Sequence, residues 1–117
     1  MNKLKQIIVI RKDLNMRRGK QISQGAHASM KVVLENMEHP NVKNWLSEAF
    51  TKICVSVDSE QELLDLYQKA QDAGMIVALI EDSGLTEFHE VLTKTCIAIG
   101  PEYSDDLAPI TGHLKLL

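Results

Sequence analysis

Four short runs of mostly β-branched, apolar residues constrain this chain more than any other feature: Gln6–Ile10, Ile53–Val57, Ile76–Ile80 and Thr95–Ile99. Each has the length of a strand, and each is continuously apolar where a half-exposed strand would alternate, the pattern of a sheet covered on both faces. The stretches between them read as helices. From Gly19 to about Met37, the residues Ile22, Ala26, Met30, Val33 and Met37 recur at steps of three and four and form one apolar stripe, which His39-Pro40 ends. A short second helix is predicted around Val42–Phe50. Ser59-Glu60-Gln61-Glu62 supplies a capping box for a third, with Leu63, Leu66, Tyr67 and Ala70 facing inward and Gly74 as its stop. Ser104 to Ile110 reads as a last turn or short helix.

Strand, helices, strand, helix, strand and then a crossover of about a dozen residues describe an α/β chain. The expectation is a single three-layer α/β/α domain over residues 1–117, built on a small four-stranded mixed sheet. A chain of 117 residues is long enough for one core burying about two-thirds of the unfolded surface. No apolar run approaches the roughly 20 residues of a membrane span, and the basic N-terminus lacks the length and cleavage site of a secretory signal. The expected location is the cytoplasm, with no membrane partner. Cys54 and Cys96 fall inside strand-like runs with no Cys or His at metal-ligand spacing, so both are expected to be reduced and buried.

Charge is sharply segregated. Residues 1–31 carry eight of the 13 Lys+Arg but only one of the 16 Asp+Glu, formally +7 against −10 for the remainder. A short basic end on an acidic body points to a polyanionic partner. Most of that charge surrounds the segment Arg11-Lys12-Asp13-Leu14-Asn15-Met16-Arg17-Arg18-Gly19-Lys20, where a loop enters the first helix. Backbone amides, the positive end of the helix dipole and side-chain cations meet there, which favours phosphate. The segment is no Walker A loop, because the leading glycine is missing and Gln21 follows Lys20. On the helix itself Lys20, Gln24, His27 and Lys31 form a polar stripe distinct from the apolar one, and His27 lies between two alanines, where its ring has scope to reach a neighbouring loop.

A second constellation follows the third strand: Glu81-Asp82-Ser83-Gly84-Leu85-Thr86-Glu87. A carboxylate at a strand end before Ser-Gly serves a turn, and equally serves as a general base or water-orienting group. Thr86, Thr93 and Thr95 add hydroxyls. His89-Glu90 lacks a second histidine, and His39, His89 and His113 share no ligand spacing, so no metal or other cofactor is expected. No Gly-x-Ser-x-Gly elbow is present, which argues against a serine hydrolase. The closing Thr111-Gly112-His113-Leu114-Lys115-Leu116-Leu117 reads as a tail packed on the body.

Taken in order, VIRKDLNMRRGKQISQGAHAS, the capping-box helix ending at Gly74, ALIEDSGLTE, AIGP at 98–101 and TGHLKLL resemble the archaeal and eukaryotic, or type 2, peptidyl-tRNA hydrolases over nearly the whole chain. The resemblance implies metal-free cleavage of the ester joining a peptide to the 3′ ribose of tRNA, rescue of tRNA from stalled translation, and a homodimer. Residue by residue it implies that Lys20, Asp82, Thr86 and Thr95 are catalytic. Gln24 and His27 match the family's glutamine and histidine on the first helix and, with Arg11, Lys12, Arg17, Arg18 and Lys31, would hold the tRNA. The chain departs from many members at Leu85, where they carry arginine, and in the His89-Glu90-Val91-Leu92 turn. A second reading on the same fold is a tRNA-binding adaptor without turnover.

Overall fold

The computed structural model describes residues 2–84 and 91–117. Leu85 to Glu90 therefore lie outside the described residues, and with them Leu85, Thr86, His89 and part of the divergent turn. Among the described residues five strands form one mixed sheet: β1 (Leu4–Arg11), β2 (Lys52–Val57), β3 (Val77–Asp82), β4 (Thr93–Tyr103) and β5 (Lys115–Leu116), in the order β3-β4-β1-β2-β5. Between them run α1 (Arg18–Leu34), α2 (Pro40–Ser47), α3 (Glu60–Asp72) and α4 (Ser104–Thr111).

Burial on both faces explains the unbroken apolar runs. Ile7 and Val9 of β1 join Val55, Val57, Ile97, Ile99 and the α3 residues Leu63, Leu66 and Ala70 in one core. Ile8 and Ile10 point to the other face and join Met16, Ala28, Val32, Ala78, Cys96 and Ala98 under α1. The three-layer expectation thus holds. The sheet has five strands where four were expected, because the closing leucines are more than a packed tail: Lys115 and Leu116 pair antiparallel with Ser56 and Val55. Two residues carry no periodicity from which to read a strand. β3 and β4, between which a crossover is expected, are antiparallel neighbours.

β1 and β2 are parallel, and both β1 and β3 run antiparallel to β4. The carboxyl ends of β1, β2 and β3 therefore share one rim of the sheet with the start of β4. The first helix approaches that rim with its N-terminus. Ser59 caps α3 as its sequence suggests, its side chain accepting from the Glu62 amide at 3.1 Å.

The inward face of α1 differs from the predicted stripe. The structure buries Gln24, Gly25, Ala28, Ser29 and Val32, while Ile22 and Met30 are 67% and 58% exposed. Small residues let the helix lie close on the strands, and a Cβ at Gly25 would already stand 3.5 Å from Ile8 Cγ2. The large apolar residues are left on a flank. A buried polar pin fixes the helix lengthwise: Ser29 Oγ donates to Gln6 Oε1 at 2.6 Å, and Gln6 Nε2 donates to the Gly100 carbonyl at 3.2 Å. Gln6 is fully buried at the start of a central strand, so both of its polar ends need partners.

Candidate active site

Lys20 and Gln24 stand one turn apart on α1, on the flank that overlooks the end of β3. Lys20 Nζ donates to Asp82 Oδ1 at 2.9 Å, with both side chains only 12–13% exposed. Gln24 Nε2 reaches the same oxygen at 3.4 Å, and the Gly84 amide donates to Oδ2 at 2.9 Å. Gly84 sits at φ +82°, a conformation that glycine adopts without strain, and this folds its amide back onto the carboxylate. Turn chemistry and site chemistry are here the same bond.

Beneath this layer Thr95 is fully buried and donates to Gln24 Oε1 at 2.5 Å. The thiol of the next residue, Cys96, donates to the Gln24 backbone carbonyl at 3.2 Å. Successive residues of a strand ordinarily face opposite sides, yet both of these meet α1. The ladder shows why: Ile80 pairs with Cys96 and Glu81 with Lys94, so Thr95 is the extra residue of a bulge.

Burial pushes the Asp82 carboxyl toward protonation, but the Lys20 ammonium, the Gly84 amide and Gln24 outweigh it and hold the group below the usual carboxylate range. At neutral pH the site therefore presents a carboxylate, an acceptor only, beside an ammonium. Such a pair holds a water by its hydrogens and offers a cation to a developing oxyanion. Cys96 is inert by contrast, its thiol pushed up to about 12 by burial. Cys54, expected to be buried with it, is exposed on β2.

The cations divide into two kinds. Arg11 is engaged inside the protein: Nε and Nη2 donate to the two carboxylate oxygens of Asp13 at 3.1 and 2.6 Å, and Nη1 donates to the Lys94 carbonyl at 3.0 Å. The expectation of a phosphate contact there meets a side chain only 11% exposed. Lys12, Arg17 and Arg18 are exposed around the N-terminus of α1. His27 is exposed as well, outside the crowded environment its alanine neighbours suggested, and Lys31 Nζ donates to the Leu79 carbonyl at 2.9 Å. Among the described residues no three His, Cys, Asp or Glu gather closely enough to hold a metal ion, and no helix is long and apolar enough to cross a membrane.

The sequence that builds this loop-to-helix cluster of cations and this Lys-Asp-Gln site matches one family. Its model, described as peptidyl-tRNA hydrolase PTH2, matches residues 4–117. The chain belongs to this family. Among curated relatives named peptidyl-tRNA hydrolase, one from Methanocaldococcus jannaschii is 44% identical over 97% of this chain and all of its own length. One from Methanopyrus kandleri is 41% identical over 97% of each, and one from Thermococcus onnurineus is 40% identical over the full length of both.

Of the residues singled out from sequence, this PTH2 chain brings together Lys20, Gln24, Asp82 and Thr95. Three partners were not read from the sequence: the Gly84 amide, the Lys94 carbonyl and the Cys96 thiol. Only the Ser83-Gly84 turn hinted at the first.

Proposed function

We propose that the whole chain, residues 1–117, acts as one domain that hydrolyses the ester between a peptide and the 3′ ribose of tRNA, as its family membership indicates. The arrangement that carries this reading is the ionised Asp82 beside Lys20 and Gln24 at a rim flanked by exposed cations. Asp82 orients a water and takes its proton as the water oxygen bonds to the ester carbonyl carbon. Lys20 stabilises the negative charge that develops on the carbonyl oxygen. Collapse breaks the bond to the ribose 3′ oxygen, which takes the proton held by Asp82, and the peptide acid loses its remaining proton to solvent and leaves as a carboxylate. Thr95, being buried, works through Gln24. Thr86 contributes a catalytic hydroxyl, a role carried by its match to the family's active-site threonine.

Lys12, Arg17 and Arg18 hold tRNA phosphates, with His27 further along the helix, while Arg11 braces the loop that presents them. No cofactor takes part in these steps. The setting is the cytoplasm, in the rescue of tRNA from stalled translation. A second copy of the chain covers the exposed flank of α1, where Ile22, Ala26 and Met30 line an apolar groove with Cys54 and Leu117. Light scattering of the wild type and of Ile22→Glu tests that dimer.

The deciding experiment is hydrolysis of N-acetyl-aminoacyl-tRNA in chelator by the wild type and Asp82→Asn. We expect loss of about 10²–10⁴-fold in kcat for the variant, the range of a lost general base, with tRNA affinity retained. A wild type that binds tRNA without turnover would support the adaptor instead.

A further inference from the structure

The strand that ends in Asp82 is also an outer strand of the sheet: among the described residues only β4 pairs with β3. Its other side opens into a slot of about 430 Å³. Lys31 of α1 and Glu35 just past its end stand on one side of that slot, Tyr67 of α3 on the other, and β3 from Val77 to Glu81 forms its floor. The Leu79 carbonyl faces the slot, since Lys31 Nζ donates to it from there at 2.9 Å. Within a strand the N–H and C=O of one residue project to the same side, so the Leu79 amide faces the slot too, as do the groups of Val77 two residues earlier.

Resting on the hydrolase reading above, we infer that this slot binds the peptidyl part of the substrate as an added strand alongside β3. The direction follows from the chemistry. The esterified carboxyl end of the peptide must sit at Asp82, and β3 runs toward Asp82, so the peptide lies parallel to it with its earlier residues extending back past Leu79. At roughly 3.3 Å per residue, Leu79 is ~10 Å from Asp82, which places the second to fifth residues from the ester within reach of the edge. Main-chain pairing suits a substrate whose side chains are whatever translation had made, because every residue but proline brings the same donor and acceptor.

The helix above is arranged for the same track. α1 and β3 run in opposite directions, so the flank with Lys20 and Gln24 at Asp82 continues to Lys31 at Leu79. An ammonium has three donors, and Lys31 uses one of them on Leu79. The others are left for a peptide carbonyl, while the charge guards an outer strand against indiscriminate pairing.

The test uses the wild-type protein and one tRNA carrying N-acetylated peptides of one to six residues. The ratio kcat/KM should rise at least tenfold with length and level off at about five residues. In the six-residue substrate, single N-methylation should lower kcat/KM about fivefold, the worth of one hydrogen bond, at alternate amides and leave the intervening ones unchanged. A flat length series overturns the inference. So does a length effect without alternation, which would place the peptide in a side-chain groove. Failure to cleave a substrate of any length would instead sink the hydrolase reading, which keeps the two apart.

Discussion

The hydroxyl of Thr95 and the side-chain oxygen of Gln24 lie 2.5 Å apart in a space closed to solvent, and that bond decides which end of the Gln24 amide faces Asp82. A hydroxyl that donates to the amide oxygen leaves the amide nitrogen as the end that reaches the carboxylate. Thr95→Val keeps the shape and removes the donor. The amide is then free to turn its oxygen toward Asp82, and an unpaired buried acceptor costs about 1–3 kcal/mol of stability. We expect a kcat lower by about tenfold with KM little changed, since one hydrogen bond to a charged group is lost. Thr95→Ser should restore kcat; equal loss in the serine variant would mean that Thr95 only fills space.

Lys20 sets the charge state of Asp82. Because the folded-state pKa of Asp82 is lowered, the carboxylate form and the stability that it contributes persist through neutral pH and are lost only as pH falls below the ordinary range. Lys20→Met removes the largest opposing influence and leaves burial to act. The Asp82 carboxyl, followed by its carbon NMR shift, should therefore titrate at higher pH in the variant, and acid unfolding should begin earlier. An unchanged midpoint would show that the Gly84 amide and Gln24 suffice to hold the carboxylate.

Phosphate binding and loop bracing separate by salt. The pair Arg17→Ala with Arg18→Ala should weaken tRNA binding and reduce the slope of log K against log salt by up to about two, one unit per lost contact. Arg11→Ala should leave that slope nearly intact and lower the melting temperature, because Asp13 and the Lys94 carbonyl lose their partner. A large slope change from Arg11 would return it to the tRNA interface.

The two cysteines should part in a thiol assay. Cys54 is exposed, whereas burial holds the Cys96 thiol at about 12. A disulfide reagent at neutral pH should modify one thiol of the folded monomer quickly and of the proposed dimer slowly, since the second copy covers the groove that Cys54 lines; Cys54→Ser should remove that phase, and Cys96 should react only in denaturant.

The strands were readable because burial on both faces leaves an apolar run that needs no context, as at Ile7 to Ile10. The inner face of α1 was not. Periodicity weighs large side chains, and what matters at Gly25, Ala28 and Ser29 is smallness, so the stripe of Ile22 and Met30 drew the eye to the flank. Asp82 was legible from its place after a strand, and Lys20 and Gln24 from their spacing. Their joint dependence on Thr95 was hidden, because a bulge overrides the two-residue alternation and only pairing with β3 reveals it. Arg11 misled for a related reason: a cation in a basic loop looks free until its carboxylate and carbonyl partners are in view.

The Ser29–Gln6 bond lies nine residues, or ~13 Å, along α1 from Lys20. It works as the datum from which the site is measured. A slide of α1 by one turn would carry Lys20 and Gln24 about 5 Å past Asp82, far outside bonding range. Tolerance to change should therefore be lowest not only around the carboxylate but also at this distant polar pair. Replacing the pair with two apolar residues could raise the melting temperature while blurring the alignment on which turnover depends.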